Sequence, residues 1–328
     1  MAQSRRRFES IDECLGPAEQ RFFGSGYRRV TRRIHDLSVH NGAQARATLD
    51  YPADWSLKDE DTELRPHLSS VDAMVLGLAL AEAYLIHAHG LDGPQRRRMW
   101  PRLVGLKAGT APQEELTGFD IEVARTAEVG AGAVCANVSA LRARLGTMKV
   151  ACDIEHDGAA EERAPSFYAA AGDLLGPTED ECVGAGYHDR RHVMTNVDID
   201  TEEGRFAADV VVEPGDAEGA GMGAAYQPSL TMVDGLLVMA QLAQALLYEI
   251  DVVDRNRTNT MWLRNLRMEV EEPHQPLSVP CRAWAELSDN KLLSLRGRSW
   301  RKVDVTGHLA GISVSGSIAH ELPLARTR

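Results

Sequence analysis

The 328-residue chain is 44% hydrophobic and 26% charged, enough to bury one large core or two ordinary ones, with no tract that signals extended disorder. Its formal net charge of −12 excludes general nucleic-acid binding, because affinity for a phosphate backbone needs a basic field. Five scattered cysteines without C-x-x-C spacing exclude a disulfide framework and a cysteine-built zinc site.

Residues 1–10 lack the apolar core of a signal peptide, so the chain is expected in the reducing cytoplasm. Arginines bunch at Arg5–Arg7, at Arg28, Arg29, Arg32 and Arg33, and at Arg96–Arg98. They read as a solvated surface or a loose N-terminal arm, or else as a landing site for pantetheine phosphates or an acidic carrier protein. An opening turn or short helix ends near Gly24-Ser25-Gly26-Tyr27, and a charged loop occupies Trp55–Arg65. Pro66-His67-Leu68-Ser69-Ser70-Val71-Asp72 then leads into a helix over Val71–Ile86, with Asp72 and Glu82 as its charges. A helix apolar on nearly every face is either buried or transmembrane. The polar interruptions argue for burial, since a span wants about 20 apolar residues in succession.

The second part of the chain repeats the first. Leu15-Gly16-Pro17-Ala18-Glu19 with Gly24-Ser25-Gly26-Tyr27 returns as Leu175-Gly176-Pro177-Thr178-Glu179 with Gly184-Ala185-Gly186-Tyr187. Val71-Asp72 returns as Val233-Asp234, and Met99-Trp100 as Met261-Trp262. Collinear matches at a nearly constant offset mean two homologous halves, here bounded as 1–157 and 166–328 with a linker at 158–165. In the second half a strand is expected over Arg205–Glu213 and a helix over Val233–Ile250. Strands near Met261–Glu271, Cys281–Leu287, Leu292–Lys302 and Gly307–His320 close it. The fold class is therefore α+β: a tandem double hot dog, two long buried helices each wrapped by a curved antiparallel sheet. A ferredoxin-like repeat would need two amphipathic helices per half, and one helix dominates each.

The opening from Phe8 to Tyr27, FESIDECLGPAEQRFFGSGY, resembles the start of the avirulence D (AvrD) family. That resemblance implies making acyl-sugar products of the syringolide type, in which a β-ketoacyl group leaves a thioester for a hydroxylated, sugar-like acceptor. It implies a carrier-protein or coenzyme A thioester and a small hydroxylated acceptor as partners, without nucleic acid or membrane, and no redox cofactor. A self-sufficient monomer and a homodimer both remain open. The helix entry Pro228–Gly235 also looks like that of polyketide dehydratases, but their H-x-x-x-G-x-x-x-x-P loop is missing. A dehydratase, isomerase or cyclase is thus the alternative, and a non-catalytic acyl- or lactone-binding protein the third reading.

Asp72 and Asp234 hold equivalent positions, each three residues after Ser69 or Thr231. This is capping-box spacing, yet a desolvated Asp with a raised pKa could act as a general base, Asp234 foremost. His67 could pair across the two halves with Asp234. Glu82 corresponds to Gln244, and Glu82, Gln241 and Gln244 are candidates for lining an acyl tunnel between the helices. In the loop 218–227, the amides around Gly221 and Gly223 could form an oxyanion hole, with Tyr226 and Gln227 orienting the acceptor. His188 and His192 have metal-like spacing but lie on a turn and strand, so no metal site is expected.

Overall fold

The computed structural model describes residues 5–58, 64–158, 163–176, 186–215, 219–258, 261–275, 277 and 279–323. Residues 59–63 of the charged loop, 159–162 of the expected linker, 177–185 of the second repeat motif (with Cys182) and Glu218 lie outside the described residues.

The first half of the chain runs β1 (Arg5–Ser10), α1 (Ile11–Leu15), β2 (Thr31–Val39), β3 (Ala43–Asp50), α2 (Ser70–His89), α3 (Gly93–Arg98), β4 (Trp100–Lys107), β5 (Phe119–Gly130), β6 (Asn137–Leu145) and β7 (Met148–His156). Then come β8 (Ser166–Ala170), α4 (Gly172–Leu175), β9 (Arg191–Asp200), β10 (Arg205–Glu213), α5 (Met232–Asp251), β11 (Met261–Val270), β12 (Cys281–Leu295), β13 (Arg298–Leu309) and β14 (Ile312–Glu321). The described strands form one antiparallel sheet. From one edge it reads β1-β9-β10-β12-β13-β14-β11, and from the other β8-β2-β3-β5-β6-β7-β4. The two series meet where β4 pairs with β11, Val104 opposite Met268.

The outermost strands are exchanged. β1 lies on β9, with Phe8 opposite Val197, and β8 lies on β2, with Tyr168 opposite Leu37. Each of the two segments, 1–157 and 166–328, therefore lends its first strand to the other's edge, where it satisfies backbone groups that would otherwise be unpaired.

Each long helix begins at a complete capping box, Ser69 with Asp72 and Thr231 with Asp234, which satisfies first-turn amides. α2 packs on β2 to β7, and α5 on β9, β10 and β12 to β14. Both are long and apolar enough to cross a membrane, but 83% and 78% of their apolar windows are buried within the protein. Gly235 lets α5 sit close to the sheet, since a Cβ there would come within 2.6 Å of the Met268 methyl.

Two expected strands have different limits. Leu292–Lys302 is broken by a turn at Arg296 (φ 52°) and Gly297 (φ 74°), and Gly307–His320 by one at Ala310 (φ 49°) and Gly311. Positive φ suits the twist of a tight hairpin, and neither turn carries the Asn-Gly or Asp-Gly signal that would reveal it. Arg5–Arg7 lie in β1 and not in a loose arm, and several of the bunched arginines carry ion pairs. Arg5 and Arg7 pair with Asp198, Arg6 with Glu249, Arg29 with Asp54, Arg33 with Asp50 and Arg96 with Glu82.

Candidate active site

The tyrosines that end the two repeated motifs, Tyr27 and Tyr187, stand in a buried polar centre between the two helix starts. Tyr27 and Tyr187 are fully buried and stack with ring centroids 5.8 Å apart. Arg32 and His192, each five residues beyond its tyrosine, reach the two cap carboxylates. Arg32 Nε donates to Asp72 Oδ1 at 2.8 Å, and His192 Nε2 lies 2.9 Å from Asp234 Oδ1. The Tyr51 hydroxyl and Ser69 close on the other Asp72 oxygen, while Arg190 and Thr231 close on that of Asp234. His188 Nε2 accepts from Arg32 at 3.1 Å. Burial, then the charges of Arg32 and Arg28, push its pKa down to about 4, so it is neutral.

This geometry corrects the expectation that Asp72 and Asp234 act as general bases. Both are fully buried with every carboxylate oxygen engaged. Burial alone would raise the pKa of Asp234, but Arg190, His192 and the Thr231 amide outweigh it and hold the carboxyl well below its ordinary range. The two aspartates position the helix starts. His192, on the adjacent strand, is the imidazole partner of Asp234. His67 instead donates from Nδ1 to the Arg65 carbonyl at 2.9 Å.

An apolar cavity of about 730 Å³ opens beside the start of α2. Leu236, Met239, Ala240 and Ala243 of α5 form one wall, and Val305, Val314 and Ile318 of the second-half sheet another. The space therefore runs between α5 and the sheet, not between the two helices, and α2 contributes its N-terminus through Ser70. Three features give this cavity chemistry. First, a carbonyl only accepts hydrogen bonds, so the His67–Arg65 contact puts a proton on Nδ1, and in the neutral ring Nε2 is then the acceptor nitrogen. The ring is held between Trp55 and Trp262, with centroids at 6.2 and 5.2 Å. Second, Ser69 takes the amides of Asp72 and Ala73, which leaves those of Ser70 and Val71 without an acceptor inside the helix, at its positive end. Third, Gln244 lies on the wall of the same cavity. Arg21, Lys58, Arg255 and Arg264 also line the cavity, against Glu321 as the one carboxylate among its described lining residues.

The equivalent place beside the start of α5 is nearly filled, with about 50 Å³ left. Glu82 does not line a tunnel: it accepts from Arg96 Nε at 2.6 Å and from the Met222 amide at 2.9 Å. Burial raises its pKa and Arg96 partly offsets that. Nor is the glycine loop an oxyanion hole. The Gly223 amide is spent on the Met99 carbonyl at 2.7 Å, and Gly221 and Gly223 take positive φ (71° and 84°) so that the loop can fold inward as a plug. The Tyr226 hydroxyl donates to the Arg98 carbonyl at 2.8 Å, and Gln227 accepts from Arg190 at 2.6 Å. Gln241 is buried, between Arg21 at 2.5 Å and the Leu237 carbonyl at 3.0 Å.

The structure thus brings His67 and Gln244 together on the open cavity and places Tyr226, Gln227, Gly221 and Gly223 in the plug, which Glu82 of α2 holds through the Met222 amide. Among the described residues, no group of three or more His, Cys, Asp or Glu side chains could hold a metal ion. Burial raises the thiol pKa of Cys14 and Cys152 to about 12 and of Cys135 to about 11, which keeps them protonated.

Residues 6–323 match the model of a family described as Pseudomonas avirulence D protein (AvrD). No curated protein matches the chain. Similar solved structures include a tesB protein from Mycobacterium avium subsp. paratuberculosis, at 12% identity and TM-score 0.43, covering 86% of this chain and 93% of that one. A conserved protein with a hot-dog fold from Alicyclobacillus acidocaldarius has 7% identity and TM-score 0.42, covering 87% and 94%. A variant of the PpsC dehydratase domain from Mycobacterium tuberculosis has 10% identity and TM-score 0.32, covering 87% and 95%.

Proposed function

The chain belongs to the AvrD family, and on that premise we propose that it is a double hot-dog enzyme that transfers a β-ketoacyl group from a thioester to a hydroxylated, sugar-like acceptor. The observation that carries this reading is the meeting of the His67 imidazole and a helix N-terminus on an apolar cavity. A volume of about 730 Å³ suits a medium acyl chain. With the chain against α5, the thioester carbonyl oxygen lies at the Ser70 and Val71 amides, which stabilise the negative charge it gains. His67 Nε2 takes the acceptor's hydroxyl proton. The hydroxyl oxygen bonds to the acyl carbon, the carbon–sulfur bond breaks, and the proton passes to the departing thiolate. Gln244, on the facing wall, orients the acceptor or the β-keto group. The plugged counterpart leaves one working site per chain.

Mass spectrometry of the protein incubated with a β-ketoacyl thioester, with and without pentuloses and triose phosphates, tests the reading. Acceptor-dependent loss of the thioester, with a product joining acyl and acceptor, supports it. Loss of water from the thioester without an acceptor contradicts it in favour of a dehydratase.

A further inference from the structure

Lys58 and Arg255 stand on two facing segments that are stapled together. Lys58 Nζ donates to the Thr258 carbonyl at 2.6 Å, and Arg255 donates to the Leu57 carbonyl at 3.1 Å. Both side chains line the cavity described above. The other Arg255 bonds run to the Gln20 carbonyl (2.9 Å), Asn256 Oδ1 (3.1 Å) and Ser56 Oγ (3.4 Å), all neutral acceptors. Among the described residues, Asp254 adjoins Arg255 and supports its charge. Asp12 pairs with Arg21, and Asp254 caps the Asn256 amide at 2.8 Å. Glu321 is the one carboxylate among the described lining residues, and two adjacent cations largely withdrawn from water with so little opposing charge on that lining favour an anionic ligand.

We propose that Lys58, set against the fixed charge of Arg255, is the subsite for a phosphate monoester carried by the cavity's ligand; the assignment of the remainder of that ligand rests on the acyl-transfer reading. Among the described residues, Lys58 spends one of its three N–H donors, on Thr258, so two can turn to phosphate oxygens. A phosphate monoester carries about −1.5 to −2 at neutral pH, more charge than a carboxylate brings to a pair of cations. Burial, and secondarily Arg255, lower the Lys58 pKa to about 8. An arriving dianion reverses that balance, so binding near pH 8 draws a proton onto the amine. The phosphate could sit on the acceptor or on a pantetheine carrier, and the two sources share this chemistry.

Isothermal titration of the full chain with inorganic phosphate at pH 8, in buffers of different ionisation enthalpy, reads both affinity and proton uptake. The expected result is binding with proton uptake in the wild type. Lys58→Met, confirmed as folded by its thermal transition, loses at least tenfold in affinity together with the uptake. Lys58→Arg keeps the affinity and loses the uptake. Titrations with a pentulose 5-phosphate against the free pentulose, and with 4′-phosphopantetheine against pantetheine, then identify the source by which phosphate confers the larger gain. Phosphate binding of equal strength and uptake in Lys58→Met, or no gain from either phosphate, overturns the proposal. Lys58-dependent phosphate binding without acyl transfer leaves the subsite standing and removes the acyl-transfer reading instead.

Discussion

Gln244 and Glu82 occupy equivalent turns of α5 and α2 and meet opposite surroundings. Gln244 faces a cavity of about 730 Å³, whereas Glu82 is locked between Arg96 and the Met222 amide and does not line the remaining space of about 50 Å³ beside α5. The difference lies in what precedes each opposing helix. Before α5, the short glycine-rich loop folds inward and hands its amides to Glu82 and Met99. Before α2, the chain presents Trp55, Lys58 and His67 to the cavity.

His67→Gln removes the proposed base from a half-exposed position. Turnover should fall about 10²- to 10⁴-fold, while stability changes by less than about 1 kcal/mol. Steady-state kinetics beside a thermal melt separates the two, and a large loss of stability would mark the residue as structural instead.

Glu82→Gln should do the reverse. It removes the buried carboxylate that pairs with Arg96 and accepts from the Met222 amide, at a cost of roughly 3 kcal/mol. Turnover per folded molecule should hold, because the plug is not the working site. Urea unfolding and kcat on the same preparation check both halves of that statement.

Acid stability should track the polar centre. The His188 pKa is lowered to about 4, so the folded chain binds fewer protons than the unfolded one between pH 6.5 and 4. Stability therefore rises with pH across that window and is lost on descending it, by on the order of 3 kcal/mol at most. Asp234, with its pKa depressed, adds a loss only at lower pH still. Urea unfolding at pH 4.5 and 7.5 should show the wild type losing clearly more than His188→Gln.

The stacked tyrosines should respond unequally to losing their hydroxyls. The Tyr187 hydroxyl is buried without a hydrogen-bond partner, so Tyr187→Phe should be neutral or stabilising by up to about 1 kcal/mol. The Tyr27 hydroxyl accepts from Arg28 at 3.2 Å and faces His192 at 3.4 Å, and Tyr27→Phe should cost about 1 kcal/mol. Differential scanning calorimetry of the two variants is sufficient.

Both long helices were legible because two runs with hardly a charge, each behind a capping box, have few other ways to fold. Their roles were less so. The pairings Arg32–Asp72 and His192–Asp234 join residues about 40 apart, and no local pattern announces them. A signal did exist: Arg32 and His192 stand at the same distance from the repeated tyrosines, so one position differs in residue type and keeps its partner. The Lys58–Arg255 neighbourhood joins residues almost 200 apart and had no such mark. The glycine loop misled because exposed-looking amides are useful only if the protein leaves them unpaired, which depends on Glu82 and Met99 arriving from elsewhere.

The central claim is that the acyl chain enters the cavity beside α2 and not its counterpart beside α5. A β-ketoacyl thioester analogue with a photoreactive diazirine near the end of its chain, cross-linked to the intact protein and mapped by peptide mass spectrometry, tests this directly. Labels within Leu236–Tyr248 of α5 and on the facing strands β13 and β14 are the expected result. Labels confined to Met222–Val233 and the middle of α2 would contradict the account and return the site to the glycine loop.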